Sequence, residues 1–417
     1  VFSLVNVTDR VHAQEQVQYL AYHDELTGLP NRALLLDRLK QTLIEAQRHQ
    51  RVVAVLYMDL NHFKNVNDTL GMETGNRLIR MVAERLQGCV RPGDTVARMG
   101  GDEFCIVLAD LARESDVAEI IQKTLVSLSA PHRLAEQELS LSVAIGISLF
   151  PRDATEPETL LKNADIAMYR AKEHDDSYQY YSPDMTASAT ERLTLENDLR
   201  HALERRELFL HYQPQVDLRT GAITGVEALL RWRHPKLGMV SPAKFIPLAE
   251  DTHLILPIGE WVLREACAQA RAWQDAGLPP LRMGVNLSAR QFRQPDLTGT
   301  VRRILDETGL DANRIDIELT ESTLVQNPEA VAEILAGLET LGVQISIDDF
   351  GTGYSSLSYL KRLPIDILKI DQSFVRDVTT DPDDASIVIA IITLAHALGI
   401  QTIAEGVETR EQAQFLR

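Results

Sequence analysis

Cysteine, positive charge and long apolar runs are all scarce in this sequence of 417 residues. Its three cysteines, Cys89, Cys105 and Cys267, lie far apart and in no metal-ligand spacing, which excludes a disulfide framework and a cysteine zinc site and leaves them as packing residues. A reduced, cytoplasmic setting is expected, and the expectation holds equally for a protein anchored to the inner membrane with this part facing the cytoplasm. The longest mostly apolar run, Ile387 to Ile400, is about 14 residues and contains Thr393 and His396, too short and too polar to span a bilayer. Lys and Arg number 42 against 60 Asp and Glu, a net charge of -18. That balance argues against polymeric nucleic acid or an anionic membrane as partner, but not against a small nucleotide held through metal ions. With 45% hydrophobic and 24% charged residues, the chain is neither disordered nor collagen-like, and its length is enough for two or three domains.

The opening residues, Val1 to Val7, alternate apolar and polar like a strand, and Thr8-Asp9 gives a helix N-cap signal before Val11 to Tyr22. A strand cannot stand alone, so residues 1–22 are expected to be the end of an upstream domain and its linking helix, and the chain to be a fragment. From Asp24 to Tyr181 the patterns run helix (Arg32 to Gln50), strand (Arg51 to Leu60), helix (Gly75 to Val90) and hairpin (Thr95 to Leu108). Helix (Ser115 to Leu128), strand (Leu139 to Phe150) and helix (Pro157 to His174) follow. This predicts an α+β domain over 23–183 with a mostly antiparallel sheet. A polar stretch from Asp175 to Thr190 separates it from residues 184–417, where seven strand-like runs alternate with mostly helical patterns and predict a (β/α) barrel. A barrel closes with eight strands. The helix opened by the capping-box pattern Thr409 to Gln412 has no stop signal before Arg417, so the last strand is expected to be missing.

Polar residues recur at set places in these runs: Glu227 in the second, Asn286 in the third, Glu318 in the fourth, and Asp348 and Asp349 closing the fifth. Lys369 lies in the sixth and Glu405 ends the seventh. In a parallel barrel the C-terminal strand ends share one face, so five carboxylates, one amide and one lysine would meet there. So many like charges require cations, and oxygen ligands select Mg²⁺ or Mn²⁺, two of which form the usual apparatus for phosphodiester cleavage. In the first half, Gly100-Gly101 supplies the turn of a hairpin, followed at once by Asp102 and Glu103. A strand ending in Met58-Asp59-Leu60 would bring a third carboxylate beside it, a second candidate two-metal site.

The motifs Glu227-Ala228-Leu229-Leu230-Arg231, Asn286-Leu287-Ser288, Glu318-Leu319-Thr320-Glu321, Asp348-Asp349-Phe350-Gly351-Thr352-Gly353, Lys369-Ile370-Asp371 and Glu405-Gly406-Val407-Glu408 resemble the EAL-domain cyclic-di-GMP phosphodiesterases. The resemblance implies a TIM-like (β/α)8 barrel that hydrolyses cyclic di-GMP to linear pGpG with two metal ions. By it, Glu227, Asn286, Glu318 and Asp348 hold the first metal, Asp348 and Asp349 the second, and Lys369 and Glu405 position or deprotonate the attacking water. Gln213, Arg231, Asp371 and Glu408 become substrate contacts, and Glu321 braces the loop Asp349 to Leu357, which in the family couples dimerisation to metal binding. The family's Gln-Gly-Tyr segment on the last strand does not occur in this sequence.

Gly100-Gly101-Asp102-Glu103-Phe104, with Asp24 to Arg32 and Asn163-Ala164-Asp165 through Lys172, resembles a GGDEF diguanylate cyclase domain. That implies a nucleotidyl-cyclase palm with a ferredoxin-like core. It makes Asp59, the Leu60 carbonyl and Glu103 metal ligands, and Asn67, position 76, Asp102 and Lys172 the GTP site. Arg91 and Asp94 match the inhibitory RxxD motif that binds product. Two departures count against cyclase activity. Asn76 stands where an Asp usually accepts two guanine N–H groups, and Asp176 where an Arg usually meets phosphate. The expectation is a homodimeric phosphodiesterase, tuned by a GGDEF domain that senses GTP or cyclic di-GMP and by an upstream PAS-like sensor. The alternatives are a cyclic-di-GMP receptor without turnover and a bifunctional protein with net cyclase activity.

Overall fold

The computed structural model describes residues 19–61, 63–134, 137–139, 141–174, 176–325, 328–352, 360 and 362–417. The opening strand, most of the helix that follows it, and Gly353 to Leu357 of the glycine loop lie outside them. The chain forms two compact units, Val1–Glu191 and Arg192–Arg417. Among the described residues no helix is long and apolar enough to cross a membrane.

The first unit is built on strands β1 (Val52–Leu60), β2 (Thr95–Gly100), β3 (Glu103–Leu111), β6 (Val143–Phe150) and β7 (Tyr178–Tyr180), in the order β2-β3-β1-β6-β7. A small separate pair, β4 (His132–Leu134) and β5 (Gln137–Leu139), stands apart. Pairing is antiparallel except between β6 and β7. The run Val52 to Leu60 is apolar at nearly every position because both faces of the sheet are covered. Ala54, Leu56 and Met58 join Leu78, Val82 and Leu86 of the helix Met72–Cys89. Val53 and Val55 join Leu35 and Leu39 of the helix Arg32–His49 and Leu160 of the helix Pro157–Glu173. Gly146 of β6 lets that last helix come close, since a Cβ there would lie 1.9 Å from the Ala164 carbonyl oxygen. A helix not foreseen, Phe63–Leu70, precedes Met72–Cys89, and β6 begins at Val143 rather than Leu139.

The second unit holds an eight-stranded sheet. Its strands are β8 (Leu208–Val216), β9 (Ile223–His234), β10 (Gly238–Val240), β11 (Arg282–Asn286), β12 (Ile315–Thr320), β13 (Gln344–Phe350), β14 (Ile367–Ile370) and β15 (Gln401–Ala404). β9, β11, β12, β13, β14 and β15 pair parallel in that order, and helices such as Ile255–Asp275, Leu297–Thr308, Pro328–Leu341 and Pro382–Leu398 connect them. The sheet curls as a TIM-like barrel does, and no pairing joins β15 to β8 among the described residues. One detail departs from a barrel of parallel strands: β8 pairs antiparallel with β9. The connection between them is a tight turn in which Asp217 Oδ1 accepts from the Arg219 and Thr220 amides and Gly221 takes a φ of 73°. It is too short for the dozen or more residues that a parallel crossover needs.

Candidate active site

Side chains two apart on a strand share a face, so Gln213 of β8, Glu227 and Arg231 of β9, Asn286 of β11, Glu318 of β12 and Lys369 of β14 can all be turned inward. The register places Gln213 directly opposite Glu227. Lys369 is the hub: its side chain is 1% exposed, and Nζ lies 2.5 Å from Glu318, 2.7 Å from Glu405, 3.1 Å from Glu227 and 3.2 Å from Asp348. Burial works against its charge, but Glu318, Asp348, Glu227 and Glu405 outweigh it and hold the proton far more tightly than on a free lysine. Burial drives the Glu318 carboxyl well up, with Lys369 opposing and Glu227 and Asp316 adding. Glu405 is raised by burial in the same way, against Lys369.

Asp348 and Asp349 lie where the β13–β14 pairing slips, and Asp349 adopts a left-handed φ of 54°. Its amide donates to Asp348 Oδ1 at 3.0 Å, and its carboxyl is pushed up to about 6 by burial, with Asp348 and Asp371 adding. Burial pushes Asp371 up, but bonds from the Ser373 hydroxyl and amide, with Asp349 and the Gln372 backbone adding, together hold it low. Asp348, Asp349 and Glu405 each offer an oxygen within 4.8 Å of the others, and they are the one such acidic group among the described residues. Glu227, Glu318 and Asp348 converge instead on the Lys369 ammonium.

Two observations fit a cation here. Glu318 Oε1 is buried without a hydrogen-bond partner. It lies against the bare Cα of Gly284, where a Cβ would come within 2.2 Å of it. Asn286 donates Nδ2 to Glu227 Oε1 at 2.7 Å, which turns its own carbonyl oxygen free for a ligand role. Beyond the carboxylates, buried Glu321 accepts the Gly351 amide at 3.0 Å, Arg231 turns Nη1 to its neighbour's carbonyl, and Gln213 and Glu408 are exposed.

In the first unit, Asp59 and Glu103 are cross-strand partners, and Lys172 from the helix Pro157–Glu173 reaches Asp59 at 2.5 Å. Burial raises the Asp59 carboxyl against the pull of Lys172. Leu60 is buried at the strand end, and Asp102 is half-buried on the turn, where Gly100 and Gly101 both have positive φ. Asn67 lies against Gly75, which has room for no Cβ, while Asn76 is exposed on the helix Met72–Cys89. Asp94 spends both oxygens on backbone, accepting from the Arg91 and Ala109 amides, and Arg91 is exposed. Asp176 accepts from Gln179. Asp24 accepts from Thr27 and pairs with Arg98, which also donates to the Gly101 carbonyl, so the loop before the first helix is tied to the glycine turn.

One residue near this site was not singled out by sequence: Tyr57, whose hydroxyl donates to Glu103 at 2.9 Å; Asp165, of the Asn163-Ala164-Asp165 motif, is raised by burial and by Glu103. Tyr57 precedes Asp59 by two and was legible as a neighbour on the same strand face.

The arrangement defines a carboxylate-rich barrel preceded by a palm-like nucleotide fold, and family comparison agrees. The EAL domain model matches residues 196–417, and the diguanylate cyclase GGDEF domain model residues 21–177. The chain belongs to the EAL-domain family, as a GGDEF–EAL tandem protein. It is 48% identical over 413 residues to the bifunctional diguanylate cyclase/cyclic di-GMP phosphodiesterase MucR of Pseudomonas aeruginosa, covering 99% of this chain and 60% of that protein. Cyclic di-GMP phosphodiesterase NbdA of the same organism is 41% identical, with 100% of this chain and 53% of NbdA covered. For PdeR of Escherichia coli, a cyclic di-GMP phosphodiesterase, the values are 39%, 100% and 62%. The chain thus spans between half and two thirds of these relatives. Among solved structures, the PaMucR phosphodiesterase in complex with c-di-GMP is 52% identical with a TM-score of 0.52, covering 54% of this chain and 90% of that one. The Vibrio cholerae LapD S helix-GGDEF-EAL structure, with a TM-score of 0.63 over 98% of this chain and 96% of that one, is 20% identical and shows likeness of fold.

Proposed function

We propose that this chain is a cyclic-di-GMP phosphodiesterase that releases linear pGpG, with a GGDEF domain that regulates it by binding GTP or cyclic di-GMP. The observation that carries the reading is the convergence of Glu227, Glu318, Asp348 and Glu405 on Lys369, beside Asp349 and an orphaned Glu318 oxygen. The names of MucR, NbdA and PdeR support it.

Glu227, Asn286, Glu318 and Asp348 would hold one Mg²⁺ or Mn²⁺, and Asp348 with Asp349 a second. A metal pair supplies polarisation of the phosphodiester and activation of water. The chain's own residues divide the remaining work. Lys369, within 3.2 Å of Glu227, Glu318, Asp348 and Glu405, is placed to orient their oxygens and the attacking water. Glu405, whose carboxyl burial raises against the pull of Lys369, would accept the proton of the attacking water. Arg231, on the same strand face as Glu227, offers a planar fork to phosphate, and Gln213, Asp371 and Glu408 flank the substrate. Glu321, by holding the Gly351 amide, fixes the chain just after Asp349.

The GGDEF domain keeps Asp59, Glu103 and Lys172 together, enough to hold a metal–triphosphate. Exposed Asn76 and acidic Asp176 make weak or absent cyclase activity the expectation. The test is chromatography of nucleotides after incubating the chain with cyclic di-GMP or GTP and Mn²⁺. Linear pGpG is expected, with a loss on the order of a hundredfold or more in Glu227→Ala. Binding without product would make the protein a receptor, and cyclic di-GMP made from GTP would establish cyclase activity. A hydrolysis rate unmoved by GTP would remove its role as regulator.

A further inference from the structure

The barrel interior directly beneath the carboxylates is polar, where barrels of this kind are usually packed with branched apolar side chains. Asp316 precedes Glu318 by two on β12, so it points the same way, and it is fully buried. Ser346, two before Asp348 on β13, sets its hydroxyl 2.6 Å and 2.8 Å from the two Asp316 oxygens. Arg282, four before Asn286 on β11, brings Nε to 3.8 Å from Asp316 Oδ2. Its terminal nitrogens go to opposite ends of the sheet: one donates to Gln215 Oε1 of β8 at 3.2 Å, the other to Gln401 Oε1 of β15 at 3.5 Å. A Cβ on Gly225 of β9 would come within 2.8 Å of Gln215 Oε1 and 3.3 Å of the Arg282 Cβ, so that glycine leaves the space.

No backbone pairing joins β8 and β15 among the described residues. One guanidinium links side chains of β8 and β15 while facing the buried carboxylate of Asp316. We infer that Arg282 and Asp316 form an interior clasp that positions the carboxylates above it. β8 carries Gln213 and pairs with the Glu227 strand, β12 carries Glu318, β13 carries Asp348, and β15 leads into Glu405, so the clasp ties together four strands that bear on the site. A planar fork fixes directions that a lysine cannot, and outer partners of metal-binding carboxylates commonly control affinity by 10- to 100-fold.

The inference rests on the phosphodiesterase reading for the reaction served, but its test does not. In the whole chain, Mn²⁺ affinity is measured by electron paramagnetic resonance of the free ion, beside kcat and KM for cyclic di-GMP and thermal unfolding. Arg282→Met and Asp316→Asn are each expected to weaken Mn²⁺ binding roughly 10- to 100-fold and to lower kcat more than they change KM. The double variant should be about as impaired as the worse single, because the two act as a unit. Arg282→Lys keeps the buried charge, serves if the methionine variant does not fold, and should recover only part of the affinity. Arg271→Met, which removes a surface donor to the Gly309 carbonyl, should leave it unchanged. Parent-like Mn²⁺ affinity in Asp316→Asn and Arg282→Lys, with only a lower melting temperature, would overturn the clasp as a positioning device. A parent chain that binds Mn²⁺ without hydrolysing cyclic di-GMP defeats the phosphodiesterase reading, and the clasp is then judged on affinity alone. A parent that binds no Mn²⁺ overturns both.

Discussion

Glu318 occupies its place because residue 284 has no side chain. With Oε2 at 2.5 Å from Lys369 and Oε1 over the Gly284 Cα, the carboxylate is held on one side by charge and on the other by an absence of atoms. Gly284→Ala would put a Cβ 2.2 Å from Oε1. The crowded atom is the far end of a side chain and can move, so the fold should lose only about 1–3 kcal/mol, as for ordinary overpacking. The movement, however, pulls Glu318 off the line it shares with Lys369. Mn²⁺ affinity is therefore expected to fall roughly 10- to 100-fold while the chain stays folded, which metal titration and thermal unfolding check together. Retained affinity would show that Glu318 does not serve the cation. The carboxylates themselves were legible in the sequence, since apolar strands closing in Glu, Asp or Asn carry a clear signal. Gly284 was not, because a strand glycine has no chemistry of its own until the neighbour that fills its space is known.

The small pair β4–β5 shows how an element can be fixed by one cation and one imidazole. Arg85, from the helix Met72–Cys89, donates to the carbonyls of Ser127, Ala130 and Pro131 and so closes the C-terminal end of the helix Asp116–Ser129. The same guanidinium lies 3.4 Å from Nδ1 of buried His132. Burial, with Arg85 adding and a hydrogen bond with the Leu139 backbone opposing, holds this histidine down to about 4. The unfolded chain binds its proton near pH 6.5 and the folded chain only near 4, so the stabilisation from a neutral His132 is complete above 6.5 and fades as pH falls between those values. The slope should approach 1.4 kcal/mol per pH unit at most. Hydrogen-exchange protection of the β1 and β3 amides should weaken across that window in the parent and much less in His132→Leu, and equal pH profiles would remove the histidine from the account. The long elements were readable because their periodicity is strong. Phe63–Leu70 was not, since Phe63 is its one buried residue and the rest of the helix reads as a polar loop. The antiparallel β8 could have been read from its short connection to β9, whereas the fourfold pairing of Lys369 depends on distances between strands that no spacing along the chain encodes.

Taken across the chain, a net charge of -18 would face a substrate that, on the proposed phosphodiesterase reading, is itself anionic. The concentration of carboxylates around Lys369 accounts for a local part of that charge and is offset once divalent cations bind. The remainder is spread over both units and repels an approaching dinucleotide at long range. Salt screens the repulsion over a Debye length of about 30 Å at 0.01 M and about 8 Å at 0.15 M, while contacts within the site, closer than either length, are little affected. At saturating Mn²⁺, kcat/KM for cyclic di-GMP should therefore rise with KCl over this range, by roughly two- to fivefold, below the ~10- to 1000-fold of focused steering because this charge is spread over the chain. Nucleic-acid-binding proteins show the opposite sign, because their basic surfaces lose attraction as salt is added. Measuring kcat/KM at the two salt concentrations decides the matter. A fall would mean that Arg231 and the bound cations dominate the approach as well as the grip, and that the acidity of the rest of the chain does not reach the substrate.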